Sequence, residues 1–270
     1  MTVPLVDTHV HVVSDDEARY PLDPSGVTAP WYREDPCSIE RLLGLLDDAG
    51  VRGAVLVQAV SAYRFDNRYT LDAAASAPGR CTAVACVDLA GADPAGAAEQ
   101  LLRAGARGLR WVAIHDGGVA EPRAVWSVAA AQRVPVVVTL LAEHLPALVD
   151  ALPRLPSLPL AVDHCGFADF ARGLPDDLLA LVPFPNVALK VSTIALDAAA
   201  GHGDVRELLP ELVARFGARR LMWGSDYSQT HDRPYVELAD YARHAASKLG
   251  DDDRARVLSG TAGALWPELS

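Results

Sequence analysis

The sequence predicts a closed barrel of eight parallel strands alternating with helices, a (β/α)8 or TIM barrel, as a single domain over residues 1–270. Short β-branched segments recur and, after a longer first gap, begin roughly 24 to 34 residues apart, the length of one strand, one helix and two loops. Helix-forming stretches rich in Ala, Leu, Arg and Glu separate them. A doubly wound open sheet is the alternative. The predicted strands begin near Leu5, Ala54, Thr82, Arg107, Val134, Leu160, Val187 and Leu221.

Four helices are predicted most clearly, over residues 66–77, 95–104, 123–133 and 205–216. The connection after the first strand, residues 13–37, is longer than the others and carries aromatic residues between prolines. We expect this extended loop to cover the barrel mouth, with Tyr20 contacting a substrate. The alternative is a surface loop packed on the barrel rim. Its aromatic and proline residues are Tyr20, Pro21, Pro24, Pro30, Trp31, Tyr32 and Pro36.

Composition narrows the class of protein. The chain has 270 residues, of which 50% are hydrophobic and 22% are charged, and this is enough to bury a large core. A formal net charge of -11 argues against a nucleic-acid partner, because no surplus of Lys and Arg exists to neutralise phosphates. The longest apolar stretch, residues 134–142, is too short for a membrane span. We therefore expect a cytoplasmic protein with a small-molecule partner, and the sequence leaves a homo-oligomer open.

The first predicted strand carries His9 and His11 in a segment that is otherwise mostly apolar. Residues two apart on a strand point to the same side, so this spacing directs two imidazoles to one place. That place is predicted to be an active site. The alternative is a pair of half-buried histidines that bond to the backbone.

Polar residues also end the other predicted strands. Gln58, Arg110, His164, Lys190 and Asp226 lie where apolar runs stop, and in such barrels catalytic groups come from the carboxyl ends of the strands. Gln58, Arg110 and Lys190 are assigned to substrate binding. His164 and Asp226 join the two histidines of the first strand as catalytic candidates.

Three histidines and one aspartate offer the ligands that suit a single divalent ion, with zinc the first choice. The same groups can also work without a metal, with Asp226 as the base for a water and His9, His11 and His164 as donors to an oxyanion. Sequence alone leaves both open. A two-metal site is disfavoured, because the fourth strand offers Arg110 in place of a bridging Lys or Glu, and the fifth strand has no histidine ligand.

Arg110 and Lys190 beside such a site would bind an anionic group, most simply a substrate carboxylate held by Arg110. Lys190 is one of two lysines in a chain that otherwise uses arginine. The alternative for both is a buried ion pair with Asp7, Asp226 or Asp88.

Several of these segments together resemble the amidohydrolase-2 branch of the amidohydrolase superfamily, over nearly the whole chain. The resemblance is closest to its lactonase group, which includes L-fuconolactonase and pyrone dicarboxylate lactonase. The segments are Asp7-Thr8-His9-Val10-His11, Val57-Gln58 with Asn67, Gly108-Leu109-Arg110, Asp163-His164-Cys165-Gly166, Asn186 to Ser192, Trp223-Gly224-Ser225-Asp226 and Gly260-Thr261-Ala262.

The resemblance implies a TIM-barrel hydrolase that opens a lactone bearing a carboxylate or several hydroxyls. His9, His11 and His164 would surround the scissile carbonyl or a metal, Asp226 would activate water, and Arg110 would hold a substrate carboxylate. Lactonases of this group work with or without a divalent ion. The alternatives are a metal-dependent nonoxidative decarboxylase of an aromatic or muconate-type acid, a biosynthetic cyclase or dehydratase, and a binding barrel without catalysis.

Two positions depart from the family pattern at the predicted pocket mouth. Phe167-Ala168 stands where relatives often carry Lys or Arg and then Pro, and Ser228 stands where Pro is usual. For this reason the resemblance does not carry a substrate identity over to this chain.

Overall fold

The computed structural model describes residues 3–23, 30–113 and 122–270, so Pro24 of the predicted loop lies outside the described residues. Within these ranges eight parallel strands lie side by side in chain order, and the prediction of a (β/α)8 barrel is confirmed. Four of the eight begin at the predicted residue and the others within three residues of it. The strands are β1 (Leu5–Val10), β2 (Val51–Val57), β3 (Cys81–Cys86), β4 (Gly108–Val112), β5 (Val136–Thr139), β6 (Leu160–Val162), β7 (Val187–Ser192) and β8 (Leu221–Gly224).

Helices connect the strands and form the outer ring. The longest described helix has eleven residues, and none in the described ranges is long and apolar enough to cross a membrane. The four predicted windows correspond to α4, α5, α6 and α10 in the following series. The helices are α1 (Trp31–Glu34), α2 (Ile39–Asp48), α3 (Val60–Tyr63), α4 (Arg68–Ser76), α5 (Pro94–Arg103), α6 (Arg123–Gln132), α7 (Leu145–Ala151), α8 (Asp176–Leu179), α9 (Thr193–Ala200), α10 (Leu208–Phe216), α11 (Tyr235–Ala245), α12 (Asp251–Ala255) and α13 (Thr261–Leu265).

Helix α2 illustrates why these segments fold as they do. The Ser38 hydroxyl accepts a hydrogen bond from the backbone N–H of Arg41, which caps the first turn and contributes about 1 kcal/mol. Ile39, Leu42 and Leu46 recur at helical spacing and are buried against the barrel. Local sequence and burial therefore favour the same element.

The barrel closes where β8 approaches β1. A Cβ atom added at Gly224 would lie 2.7 Å from Cβ of His9, so only glycine permits this approach. The Thr8 hydroxyl donates to the carbonyl of Trp223 at 2.6 Å, and the N–H of Asp226 donates to the carbonyl of His9 at 2.8 Å. The closure thus brings the end of β8 directly beside His9.

Strand β1 contains a β-bulge that sets the direction of its histidines. Asp7 pairs with Ala54 on β2, and Val10 pairs with Leu56. The segment of β1 between these two pairs is therefore one residue longer than the segment of β2. Val6 lies in the apolar cluster inside the barrel, and without the bulge the odd-numbered His9 and His11 would face the helices. The extra residue changes the alternation, so both histidines face the interior.

The C-terminal segment closes the opposite end of the barrel. Trp266 is fully buried in the interior cluster, and Thr82 donates to Glu268 at 2.6 Å. Replacing a buried tryptophan with alanine typically costs about 3–5 kcal/mol. This end is therefore a packed floor, and the polar groups lie at the other end. The floor residues are Val6, Val55, Val57, Val84, Val137, Ala161, Ala188, Met222, Ala262, Trp266 and Leu269.

Candidate active site

Three imidazoles converge on one carboxylate oxygen at the carboxyl end of the barrel. Oδ1 of Asp226 lies 3.5 Å from Nε2 of His9, 3.6 Å from Nε2 of His11 and 3.9 Å from Nε2 of His164. All four side chains are at most 3% exposed. Residues separated by more than 200 positions along the chain thus form one cluster, as the strand-end pattern predicts.

The other ring nitrogens of the β1 histidines are held by fixed acceptors. Nδ1 of His11 donates to the carbonyl of Val57 at 2.8 Å, and Nδ1 of His9 donates to Oδ1 of Asp163 at 3.1 Å. A neutral imidazole has one N–H, so these bonds leave Nε2 of both rings with its lone pair. Such atoms are metal ligands or proton acceptors. They are not oxyanion donors.

His164 reaches the cluster from a left-handed turn. Strand β6 ends at Val162, and His164 and Cys165 follow with φ values of 54° and 51°. Non-glycine residues rarely adopt this conformation, and it is found preferentially at functional sites. The turn ends the alternation of the strand, so Asp163 and His164 both point to the site. Nδ1 of His164 lies 2.8 Å from the hydroxyl of Ser192.

Asp163 is the centre of a second, deeper set of contacts. Its Oδ1 pairs with Lys190 Nζ at 3.1 Å and with His9, while its Oδ2 accepts from the Thr139 hydroxyl at 2.6 Å. Nη2 of Arg110 lies 3.9 Å from the same Oδ2. Because Asp163 and Lys190 are fully buried, this pair is shielded from solvent.

Burial and charge set the protonation of the site. Burial alone would raise the pKa of Asp226, but the surrounding imidazoles, His164 first, hold it well below its usual range. Burial likewise opposes ionisation of Asp163, and His9 and Lys190 more than offset it, so the pKa of Asp163 is well below normal. Burial lowers the pKa of His9 strongly and that of His164. At neutral pH, Asp163 and Asp226 are therefore ionised, and His9 and His164 are neutral.

Comparison with known proteins gives the family. The family model described as Amidohydrolase matches residues 6–267 of this chain. The chain belongs to the amidohydrolase family. The predicted resemblance is therefore confirmed, and the enzyme class is that of a hydrolase.

Three relatives of this amidohydrolase cover almost all of it. The L-fucono-1,5-lactonase of Burkholderia ambifaria is 29% identical over 282 residues, covering 95% of this chain and 93% of the relative. A Pseudomonas putida protein proposed to be a 2-pyrone-4,6-dicarboxylic acid hydrolase is 25% identical, with a TM-score of 0.79 and coverage of 99% of each chain. An amidohydrolase of Burkholderia multivorans, crystallised with zinc, is 22% identical, with a TM-score of 0.77 and coverage of 98% and 99%.

The ligand atoms in the site of this amidohydrolase fit a divalent cation. Nε2 of His9 and Oδ1 of Asp226 are buried and have no hydrogen-bond partner among the described residues. One ligand atom each of His9, His11 and Asp226 lie within 4.8 Å of one another. Buried acceptors without donors cost free energy unless a cation or a protonated group meets them. Two nitrogens and one carboxylate oxygen are suitable ligands for zinc.

Arg110 lies at the edge of this cluster, as predicted. Its Nε and Nη2 donate to the hydroxyl of Thr139 at 3.3 and 3.2 Å, and its Nη1 donates to the carbonyl of Gln58 at 2.7 Å. The side chain is 8% exposed. These bonds orient the group, and its contact with a substrate remains a prediction.

The contact of Gln58 with a substrate stays a prediction, and the structure shows which protein groups its side chain binds. Its amide donates to the carbonyls of Arg64 and Asp66 at 3.1 and 3.0 Å, and its side-chain oxygen accepts from Thr70 at 2.7 Å. The fully buried side chain is thus used to hold the loop after β2. Gln58 acts on the site through its backbone carbonyl, which orients Arg110.

The contact of Tyr20 with a substrate likewise stays a prediction, and the structure shows the side chain bound within the protein. Its hydroxyl donates to Asp72 at 2.6 Å, and its ring packs on Tyr69 with centroids 4.8 Å apart, so it fastens the loop to α4. Trp31 of the same loop reaches the site instead. Its ring centroid lies 5.4 Å from that of His11, and its Nε1 is buried without a partner among the described residues.

Lys190 forms an ion pair, but with a carboxylate that the sequence did not indicate. Its partner is Asp163 rather than Asp7, Asp226 or Asp88. The lysine is fully buried, and Nζ lies 3.4 Å from Nδ1 of His9. In this position it supports Asp163 and His9, and direct contact with a substrate stays a prediction.

Four further residues of the site were not assigned from sequence, although some left a signal. Asp163 immediately precedes His164, and Thr139 is the polar residue within the apolar run of the fifth strand. Ser192 faces the interior at the end of β7, as its strand parity predicts. Phe167, at the position that departs from the family pattern, packs on His164 with ring centroids 4.7 Å apart.

Proposed function

We propose that this amidohydrolase hydrolyses a lactone that carries a carboxylate or several hydroxyls. One observation carries the proposal: three imidazole Nε2 atoms lie within 3.9 Å of a single oxygen of Asp226. A carboxylate in this position can take a proton from water, and the Nε2 lone pairs beside it could bind a cation that polarises a carbonyl. The L-fucono-1,5-lactonase of Burkholderia ambifaria, at 29% identity, supports a cyclic ester as the substrate.

The reaction needs one base and a proton return. Asp226 accepts a proton from water while the water oxygen attacks the ring carbonyl carbon, giving a tetrahedral intermediate. The carbon–oxygen bond of the ring then breaks, and Asp226 returns the proton to the leaving oxygen. The low pKa of Asp226 keeps it ionised for the first step.

His9, His11 and Asp226 would hold a divalent ion, with His164 beside them. When bound, such an ion acts as a Lewis acid toward the carbonyl and lowers the pKa of a bound water. The protonated Nδ1 atoms of His9 and His11 support this role, because they direct the Nε2 lone pairs into the site. Zinc is the first choice for this donor set.

Arg110 supports an anionic substrate. A guanidinium can bind a carboxylate through two parallel hydrogen bonds, and three bonds to Thr139 and Gln58 already fix its plane. The 25% identical protein proposed to be a 2-pyrone-4,6-dicarboxylic acid hydrolase is consistent with an acidic lactone.

The test is a panel of acidic and polyhydroxylated lactones, followed by acid release in a pH-stat. We expect Asp226→Asn to lower kcat by at least about 100-fold, since a positioned base contributes about 10² to 10⁴. The matched control is Asp232→Asn, an exposed carboxylate on the same loop, which should keep its rate. Full activity of Asp226→Asn removes the base from the mechanism. Carbon dioxide release from an aromatic acid, without turnover of any lactone, would establish the decarboxylase instead.

A further inference from the structure

The site contains two overlapping groups of ligand atoms that share His9. The outer group comprises His9, His11 and Asp226, and the inner group comprises His9, Asp163 and His164. In each group the ligand atoms lie within 4.8 Å of one another. By distance alone, both groups could hold a cation.

Hydrogen bonding distinguishes the two groups. In the outer group, Nε2 of His9 and Oδ1 of Asp226 have no donor among the described residues. In the inner group, Asp163 receives three donors: the Nδ1–H of His9, the ammonium of Lys190 and the hydroxyl of Thr139. The carboxylate of the inner group is therefore already satisfied.

We propose that the buried Lys190 ammonium occupies, beside Asp163 and His9, the place of a second cation, and so restricts the cluster to one metal ion at the outer group. The ammonium lies 3.1 Å from Oδ1 of Asp163 and 3.4 Å from Nδ1 of His9. One positive charge in this place balances Asp163 and keeps the Nδ1 proton of His9 directed to that carboxylate.

The chemistry of lysine suits this role. An ammonium is a compact point charge with three donors, whereas the planar guanidinium used elsewhere in this chain needs more space. Lys190 is fully buried, and Nζ lies 5.8 Å from the ring centroid of Trp266 on the barrel floor, a distance compatible with a cation–π contact. The lysine is thus enclosed by the floor below and by the histidine cluster above.

The inference concerns cation binding and does not depend on lactone hydrolysis, so metal counting tests it without an activity assay. The protein is stripped with chelator, titrated with Co²⁺ and analysed for bound metal after gel filtration. Lys190→Ala removes the ammonium and opens space beside Asp163, whereas Lys248→Ala removes the other lysine of the chain, at the surface. We expect Lys190→Ala to bind one more equivalent of Co²⁺ per chain than the wild type, and Lys248→Ala to bind the same number.

The double variant Asp163→Asn/Lys190→Ala removes the carboxylate together with its counterion and should not gain the extra equivalent. Lys190→Ala should also show a larger rise in Tm with Co²⁺ than the wild type, because the ion replaces the missing charge. Two equivalents in the wild type would overturn the inference, whether or not the variants fold. Equal metal content in wild type and Lys190→Ala would overturn it as well.

Discussion

Trp31 packs its indole over the imidazole of His11, with ring centroids 5.4 Å apart and ring planes inclined by 32°. Asp35, which follows the helix that carries Trp31, α1, is held from two sides. The hydroxyl of Tyr227, in the loop after β8, donates to it at 2.8 Å, and Arg41 on α2 pairs with it at 2.7 Å. The loop after β1 therefore forms one aromatic wall of the site.

We predict that Trp31→Ala raises KM for ring substrates by about 10-fold, because an aromatic contact of this kind is worth about 1 kcal/mol or more. Tyr20→Phe is the control, since it removes only the bond to Asp72 and should leave KM unchanged. Steady-state kinetics on the best lactone measures both. A change in KM for Tyr20→Phe equal to that of Trp31→Ala would assign both effects to the loop as a whole.

Arg110→Ala should lower the activity on acidic substrates more than the activity on uncharged ones. We expect kcat/KM to fall by about 100-fold for a carboxylated lactone and by less than about 10-fold for an uncharged one, because the lost bonds are charge-assisted. The control is Arg107→Ala, which removes an exposed arginine just before β4. Equal losses on both substrates would show that Arg110 acts through Thr139 and Asp163 rather than on the substrate.

Much of the fold follows from local pattern. The strands are short apolar runs at a regular spacing, and parallel strands need crossover helices of similar length, so eight units imply closure. The same logic placed His9, His11, His164 and Asp226 together, because all four lie on or just after barrel strands. The position of Arg110 follows in the same way.

The rest of the site depends on contacts that no pattern contains. Strand alternation directs Asp163 and His164 to opposite sides, but the left-handed turn at His164 brings both inward. Gln58 lies at a strand end like Arg110, but its side-chain amide donates hydrogen bonds to carbonyls of the nearby loop. Residue type and position in the strand do not reveal which neighbours satisfy a buried polar group.

The acid limit of activity should lie below pH 6.5. Catalysis needs neutral His9 and His164 and an ionised Asp226, and burial or neighbouring charge lowers the pKa of all three groups. Each required state therefore persists to lower pH than in a model peptide. The check is kcat/KM from pH 4.5 to 8 after subtraction of spontaneous hydrolysis. A midpoint of the acid limb at or above 6.5, still present in His231→Gln, would contradict these protonation states.

Asp7 should make the wild type less stable as pH rises. Burial raises the pKa of Asp7 to about 6, against partial compensation by Ser225, the N–H of His9 and Tyr235. Because the folded pKa exceeds the unfolded value of about 4, stability from the protonated form is present below pH 4 and is lost as pH rises through 6. Asp7→Asn does not titrate. The free energy of unfolding of this variant, minus that of the wild type, should therefore increase by up to about 3 kcal/mol from pH 4 to pH 7.5. Urea unfolding of both proteins at the two pH values measures this difference, in which the titration of the other groups cancels. A difference that stays constant or shrinks would show that the pKa of Asp7 in the folded barrel is not raised above its unfolded value.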